Sequence, residues 1–371
     1  MKKYQSAPEK HFSPDYKKAS NRIYEMDVLR ISGALVVIMY HYTFRGLILN
    51  GERIPLFPAI EVVTKYGYLG IGLFFMISGF VILFSALNKS PLEFVISRID
   101  RLYPVYWVAV SITATTIIVF TDNIISPFLY LANLTMIHAY VGIPSIDPIY
   151  WTLHVELKFY FLIFILMLFG QIQKYRVWLP LWLLITLIYT FTKQPFFMGW
   201  FISPAYSSFF ISGIVFYLIY AKGLNYHRLS LIGVSLFVSV YNTINNIGGF
   251  IVNADTKDKV VASLLIILLH GLFLAVATRK FTIKGSAILV VASGMTYPIY
   301  LLHTRLGKTL FDLLFQEMSK YVALTIVISF VILLSFLVYT YIDKRVSGYI
   351  KINLSKILPK QLLLWGKCDF R

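Results

Sequence analysis

Runs of roughly 16–25 mostly apolar residues recur from Ile31 to Tyr341, and about 20 such residues in a helix cross the hydrocarbon core of a bilayer. Because 58% of the 371 residues are apolar and 14% charged, the runs define the chain rather than interrupt it. They predict an all-α polytopic membrane protein. Ten helices are expected, at Ile31–Leu49, Gly67–Leu87, Tyr103–Thr121, Tyr150–Gly170, Val177–Thr192, Phe196–Tyr220, Leu229–Ile244, Val260–Ala277, Ser286–His303 and Tyr321–Tyr341. The expected organisation is a basic cytoplasmic segment over 1–26, a membrane domain over 27–343 and a basic tail over 344–371. The polar, basic N-terminal stretch differs from a cleavable signal, so the first helix is expected to remain in the mature protein.

The net charge of +17 raises the question of nucleic acid, but in a membrane protein a basic excess first reports topology. Of the 34 Lys and Arg, 24 fall on the side of the N-terminus, nine on the opposite side, and Lys158 lies within the fourth span. That bias places both termini in the cytoplasm and explains the basic character without nucleic acid. Cys368, the single cysteine, excludes an internal disulfide and a cysteine-based zinc site, and no metal is expected. Between Asp122 and Ile149 lies FLYLANLTMIHAYV (Phe128 to Val141), too short to span; a re-entrant piece, an interfacial piece and an outer lid all suit it. The tail alternates Lys with Ile, Leu and Trp, as a helix lying on an anionic leaflet does.

An ionisable group in hydrocarbon costs about 2.5–3.5 kcal/mol on insertion scales, so each one inside a span needs a partner or a purpose. In the first helix Arg30 and His41 are eleven residues apart and Arg45 is four further on, which places all three near one face. At about 1.5 Å per residue His41 lies roughly 16 Å past the cytoplasmic end. Asp27, three residues before Arg30, is placed to pair with it. In the fourth helix Glu156 and Tyr160 form an i, i+4 pair suited to a cavity, while Lys158 points about 200° away from Glu156. FVISRIDRLYP sets Arg98 and Arg101 on one side of a helical turn, suited to gripping phosphates. Spacing alone leaves plainer roles open: an interhelical hydrogen bond for His41, an ion pair for Glu156, topology anchors or lipid contacts for the arginines. It supports a polar route through a bundle without naming a reaction. A secondary transporter or glycolipid flippase uses the same residue types, though no internal repeat is visible.

With those residues in view, the chain resembles the acyltransferase 3 family of integral membrane acyltransferases. EMDVLRISGALVVIMYH (Glu25 to His41) is similar to its first-helix motif and GYLGIGLFFMISGFVI (Gly67 to Ile82) to its second-helix signature. FVISRIDRLYPVYW (Phe94 to Trp107) resembles its arginine motif, YWTLHVELKFY (Tyr150 to Tyr160) its Trp-to-Glu motif, and YPIYLLH (Tyr297 to His303) its late segment. The likeness covers roughly residues 20 to 345, and five motifs in order make it specific. Ser97 stands where many relatives carry the first arginine of a pair, which bears on how many phosphate contacts the donor site makes, and Gly72 stands where many carry an acidic or other polar residue.

The resemblance implies an acyl-CoA donor, most simply acetyl-CoA, entering from the cytoplasm, and a lipid-linked or surface polysaccharide acceptor such as lipopolysaccharide O-antigen. It implies a multi-pass protein of the bacterial inner membrane with no permanently bound cofactor and no appended extracytoplasmic hydrolase-like domain. The sequence does not fix an oligomeric state. On this reading His41 is the general base and Glu156 orients or charge-balances its ring; an acyl-histidine relay is the alternative. Arg98 and Arg101 hold the CoA phosphates, and Arg30 holds phosphate or steadies Asp27. Arg45, Trp151, Tyr160 and His303 support the site or help bind the acceptor.

Overall fold

The computed structural model describes residues 22–346, except 46, 50, 51, 55 and 122, together with residue 349; for 47–49, 52–54 and 196 the backbone alone is described. Most of the N-terminal segment and nearly all of the tail, with its expected interfacial helix, lie outside the described residues. Helix α1 (Tyr24–Met39) continues into a π-helical turn, Tyr40–Phe44, and is followed by a small antiparallel ribbon, β1 (Leu47–Leu49) and β2 (Glu52–Ile54), paired Leu47 to Ile54. Then come α2 (Pro58–Thr64), a 3₁₀ turn over Lys65–Leu69, α3 (Gly70–Leu87), α4 (Pro91–Phe120), α5 (Pro127–Leu134), α6 (Trp151–Leu168) and α7 (Tyr175–Thr192). The chain continues through α8 (Phe196–Ile202), α9 (Pro204–Lys222), α10 (Tyr226–Asn246), α11 (Thr256–Ala277), α12 (Ala287–Leu302), α13 (Arg305–Glu317) and α14 (Lys320–Val338). A second π-helical turn, Tyr339–Asp343, and the short α15 (Lys344–Val346) close the described part.

The fold is an all-α polytopic bundle. Among the described residues eight helices are long and apolar enough to cross a membrane, or nine if α12 and α13, bent by 71°, count as one span. Helix α1, with Glu25, Asp27 and Arg30 in its first two turns, is not among them. Each of the ten expected helices has a counterpart, with boundaries shifted by local chemistry. The first ends at Phe44, and 47–49 is strand rather than helix. The third starts twelve residues early, because Ser90 and Glu93 form a capping box and Pro91 fills the first helical position. The sixth divides at Ser203, whose φ of 48° is left-handed, so α8 and α9 are separate pieces.

Helices α3 and α9 form the centre. A Cβ on Gly79 would stand 2.2 Å from the Phe210 carbonyl oxygen, and one on Gly213 would stand 2.0 Å from that of Met76. Only glycine permits backbones this close, the small-residue packing that joins helices where the hydrophobic effect between them is weak. Leu264 and Leu268 of α11, Phe330 and Leu333 of α14 and Leu181 of α7 point outward, making the apolar belt that lipid covers. The stretch from Phe128 folds back along α4. Descending α5 and the turn after it meet α4 in reverse order: Tyr130 at Ser111, the Asn133 carbonyl at Tyr106, the Leu134 carbonyl at Trp107 and the Thr135 carbonyl at Tyr103.

Candidate active site

A cavity of about 2800 Å³ opens among the ends of α1, α4, α7, α9 and α14, at the side the charge bias assigns to the cytoplasm. Asp27 is at its rim and fully buried, accepting hydrogen bonds from Arg22 at 2.5 Å and from Ser293 at 2.7 Å, with Arg30 at 3.6 Å. The expected Asp27–Arg30 pair is therefore present, and the carboxylate also fixes α1 against α12. Arg30 itself lines the cavity. Arg98 lies over the rings of Phe94 and Tyr160, at 5.8 and 5.7 Å from their centroids, and its guanidinium touches the Ser97 hydroxyl at 3.4 Å. Arg101 pairs with Asp343 at 2.9 Å. The π-helical turn at Tyr339–Asp343 carries that carboxylate.

On α6, one stripe faces the cavity at helical spacing: Thr152, Glu156 and Tyr160. The Glu156 Oε1 accepts from Ser78 at 2.7 Å and from Tyr160 at 2.5 Å. The Thr152 and Tyr300 hydroxyls are hydrogen-bonded at 2.8 Å, and Tyr300 lines the inner end of the cavity beside Phe74.

His41 and His303 stand one ring beyond that lining. Their ring centroids are 5.1 Å apart in an edge-on arrangement at 63°, and the His303 ring rests on Tyr300 at 5.6 Å. His303 is completely buried; its Nδ1–H donates to the Tyr300 carbonyl at 2.8 Å, which leaves Nε2 as the lone-pair nitrogen, buried and without a partner among the described residues. Tyr42 donates to the His303 carbonyl at 2.7 Å, while Thr304 and the Arg305 amide donate to Asp147 at 2.5 and 3.1 Å, anchoring the bend after α12. Burial pushes the Asp147 carboxyl above the ordinary carboxylate range, against the hydrogen bonds that favour its charge.

Two expectations change. His41 lies in the π-helical turn, closed by the Arg45 amide donating to the Tyr40 carbonyl at 2.9 Å, and the wider turn breaks the 3.6-residue phase. Arg45, one turn beyond His41, is exposed at the far end of α1 and lies outside the cavity. Among the described residues, the hydrogen bonds of Glu156 go to Ser78 and Tyr160 rather than to His41, whose ring partners are His303 and Tyr40. Trp151 packs on Tyr206 of α9, 5.3 Å between centroids, and does not line the cavity.

Asp27, Arg30, Arg98, Arg101, Glu156 and Tyr160 do meet in one cavity, with His303 joined to His41 beyond it. Sequence reasoning missed Ser78, Tyr300, Ser293 and Asp343. Ser78 and Tyr300 lie inside the quoted second and late motifs, where a polar atom in an apolar run was the available signal; nothing local marks Ser293 or Asp343.

The site is thus a basic, one-sided cavity in a helical membrane bundle, leading towards a histidine pair. The acyltransferase 3 family model, an acyltransferase domain, matches residues 23–341, so the chain belongs to that family and is a membrane acyltransferase. Neither the curated proteins nor the solved structures contain a match.

Proposed function

We propose that the protein is an O-acyltransferase of the bacterial inner membrane that moves an acetyl group from acetyl-CoA to a hydroxyl of a cell-envelope glycan such as lipopolysaccharide O-antigen. The observation that carries this reading is the convergence of Arg30, Arg98, Arg101 and Glu156 on one cavity, with the His41–His303 pair one ring beyond it. At about 2800 Å³ the cavity exceeds the roughly 300–1,000 Å³ of common small-molecule sites, leaving room for a long nucleotide thioester. Arg98 and Arg30 meet the phosphates of the donor, which is a substrate and not a resident cofactor. Arg101, already neutralised by Asp343, shapes the mouth more than it binds.

The thioester end passes Phe74 and Tyr300 to reach His41. The acceptor oxygen attacks the thioester carbonyl carbon while its proton passes to the His41 imidazole, a transfer worth about 10²–10⁴-fold. Collapse of the tetrahedral intermediate breaks the carbon–sulfur bond, and the departing thiolate recovers a proton from the imidazolium. His303, locked in one tautomer by the Tyr300 carbonyl, stands beside that ring as its positioning partner. Glu156 holds Tyr160 and Ser78 against the donor chain. Membrane vesicles given labelled acetyl-CoA and a panel of lipid-linked glycans test the reading: label enters one glycan and His41→Ala abolishes it. Label in no glycan and no other hydroxyl compound refutes it.

A further inference from the structure

Helix α6 has a second charged face. Lys158 sits two residues past Glu156, with its amine 4.8 Å from the Trp200 ring centroid and 5.6 Å from that of Tyr140. Among the described residues no carboxylate lies within 4.0 Å of it. Tyr140 is pinned by donating to the His154 carbonyl at 2.6 Å. The rings of His138 and His154 are 4.9 Å apart, and these residues are only 1% and 7% exposed. The His138 Nε2 meets Ser145 at 2.9 Å, but His138 Nδ1 and His154 Nε2 are buried with no partner among the described residues. Outside the cluster the surface is apolar, with Phe161, Phe197 and Val141 exposed.

A cation within an apolar span is stable only with a counter-charge, and two π faces hold an ammonium without neutralising it. The complement that the described residues do not supply is an anion, at a position flanked by exposed apolar side chains. Lys158 supplies the charge from α6, while Tyr140 and Trp200 come from segments that the charge bias puts on the outer side. We propose that this face binds the phosphate of the lipid that carries the acceptor glycan, with Lys158 on the phosphate oxygens and the rim of Trp200 against the adjoining sugar or chain. Building on the acyl-transfer reading, it puts donor and acceptor on opposite faces of one helix.

The test uses the full-length protein in nanodiscs and radiolabelled polyprenyl diphosphate as probe. Wild type and Lys158→Arg bind within about threefold of each other, whereas Lys158→Gln binds about tenfold or more weakly, and a large excess of phosphatidylglycerol leaves the probe in place. Binding of acetyl-CoA at wild-type affinity shows that each variant is folded. Equal probe binding by Lys158→Gln overturns the site, as does displacement by phosphatidylglycerol, which marks a general anionic-lipid contact. Lys158-dependent binding in a protein that acetylates no glycan keeps the site and removes the acyl-transfer reading. Glycan acetylation with an unchanged acceptor KM in Lys158→Gln does the reverse.

Discussion

The two faces of α6 treat charge in opposite ways. Towards the cavity, Thr152, Glu156 and Tyr160 each find a partner, with Tyr300 and Ser78 reaching across from neighbouring helices. On the other face, among the described residues, Lys158 has only aromatic rings, and two buried histidines each keep an idle nitrogen. A satisfied network is rigid and presents a fixed shape to its substrate, whereas an unsatisfied one is complete only when something binds. The contrast teaches that intramembrane charge alone does not define a site; the state of its partners says what the site does.

The contrast can be broken first at the end of the cavity face. His41→Ala should lower transfer by about 10²–10⁴-fold while the protein still inserts and binds acetyl-CoA, measured as label transferred in vesicles. Wild-type transfer would disconnect the cavity from the chemistry. Glu156→Gln, which keeps the shape but removes a charge-assisted acceptor, should reduce kcat by about 10–100-fold with the acceptor KM unmoved. A change confined to the acceptor KM would give Glu156 the role assigned to Lys158. Arg98→Gln should raise the acetyl-CoA KM by about tenfold, and Arg101→Gln should raise it less, because Asp343 already occupies that guanidinium. Equal effects would mean that the Asp343 pair opens when donor binds. Smallest of all, Thr152→Val should cost about fivefold in kcat by freeing the Tyr300 hydroxyl. A null result there would remove Tyr300 from the path to His41.

The parts of the site legible in the sequence are those whose partners are near in the chain. Asp27–Arg30 and Glu156–Tyr160 follow from helical spacing, and the structure contains both. The course of the spans was equally legible, since apolar length carries its own scale. The partner of Arg101 is 242 residues away, and the partner of Asp27 on α12 is 266 away, so no local pattern announces them. The π-helical turns were hidden for another reason: about one extra residue per turn leaves no compositional mark, and His41, which meets His303, lies in the first of them.

What the sequence by itself determined was a helical bundle in lipid, its order of spans and the residue types that had to be accounted for inside it. Apolar run length and the cost of placing charge in hydrocarbon act on each segment separately, so they can be read one segment at a time. Tertiary structure alone decided which charges are neutralised and which are left open, that Glu156 serves Ser78 and Tyr160, and that Lys158 faces aromatic rings. Those outcomes depend on how helices remote in the chain approach one another, and backbone contacts as close as Gly79 to Phe210 set that approach.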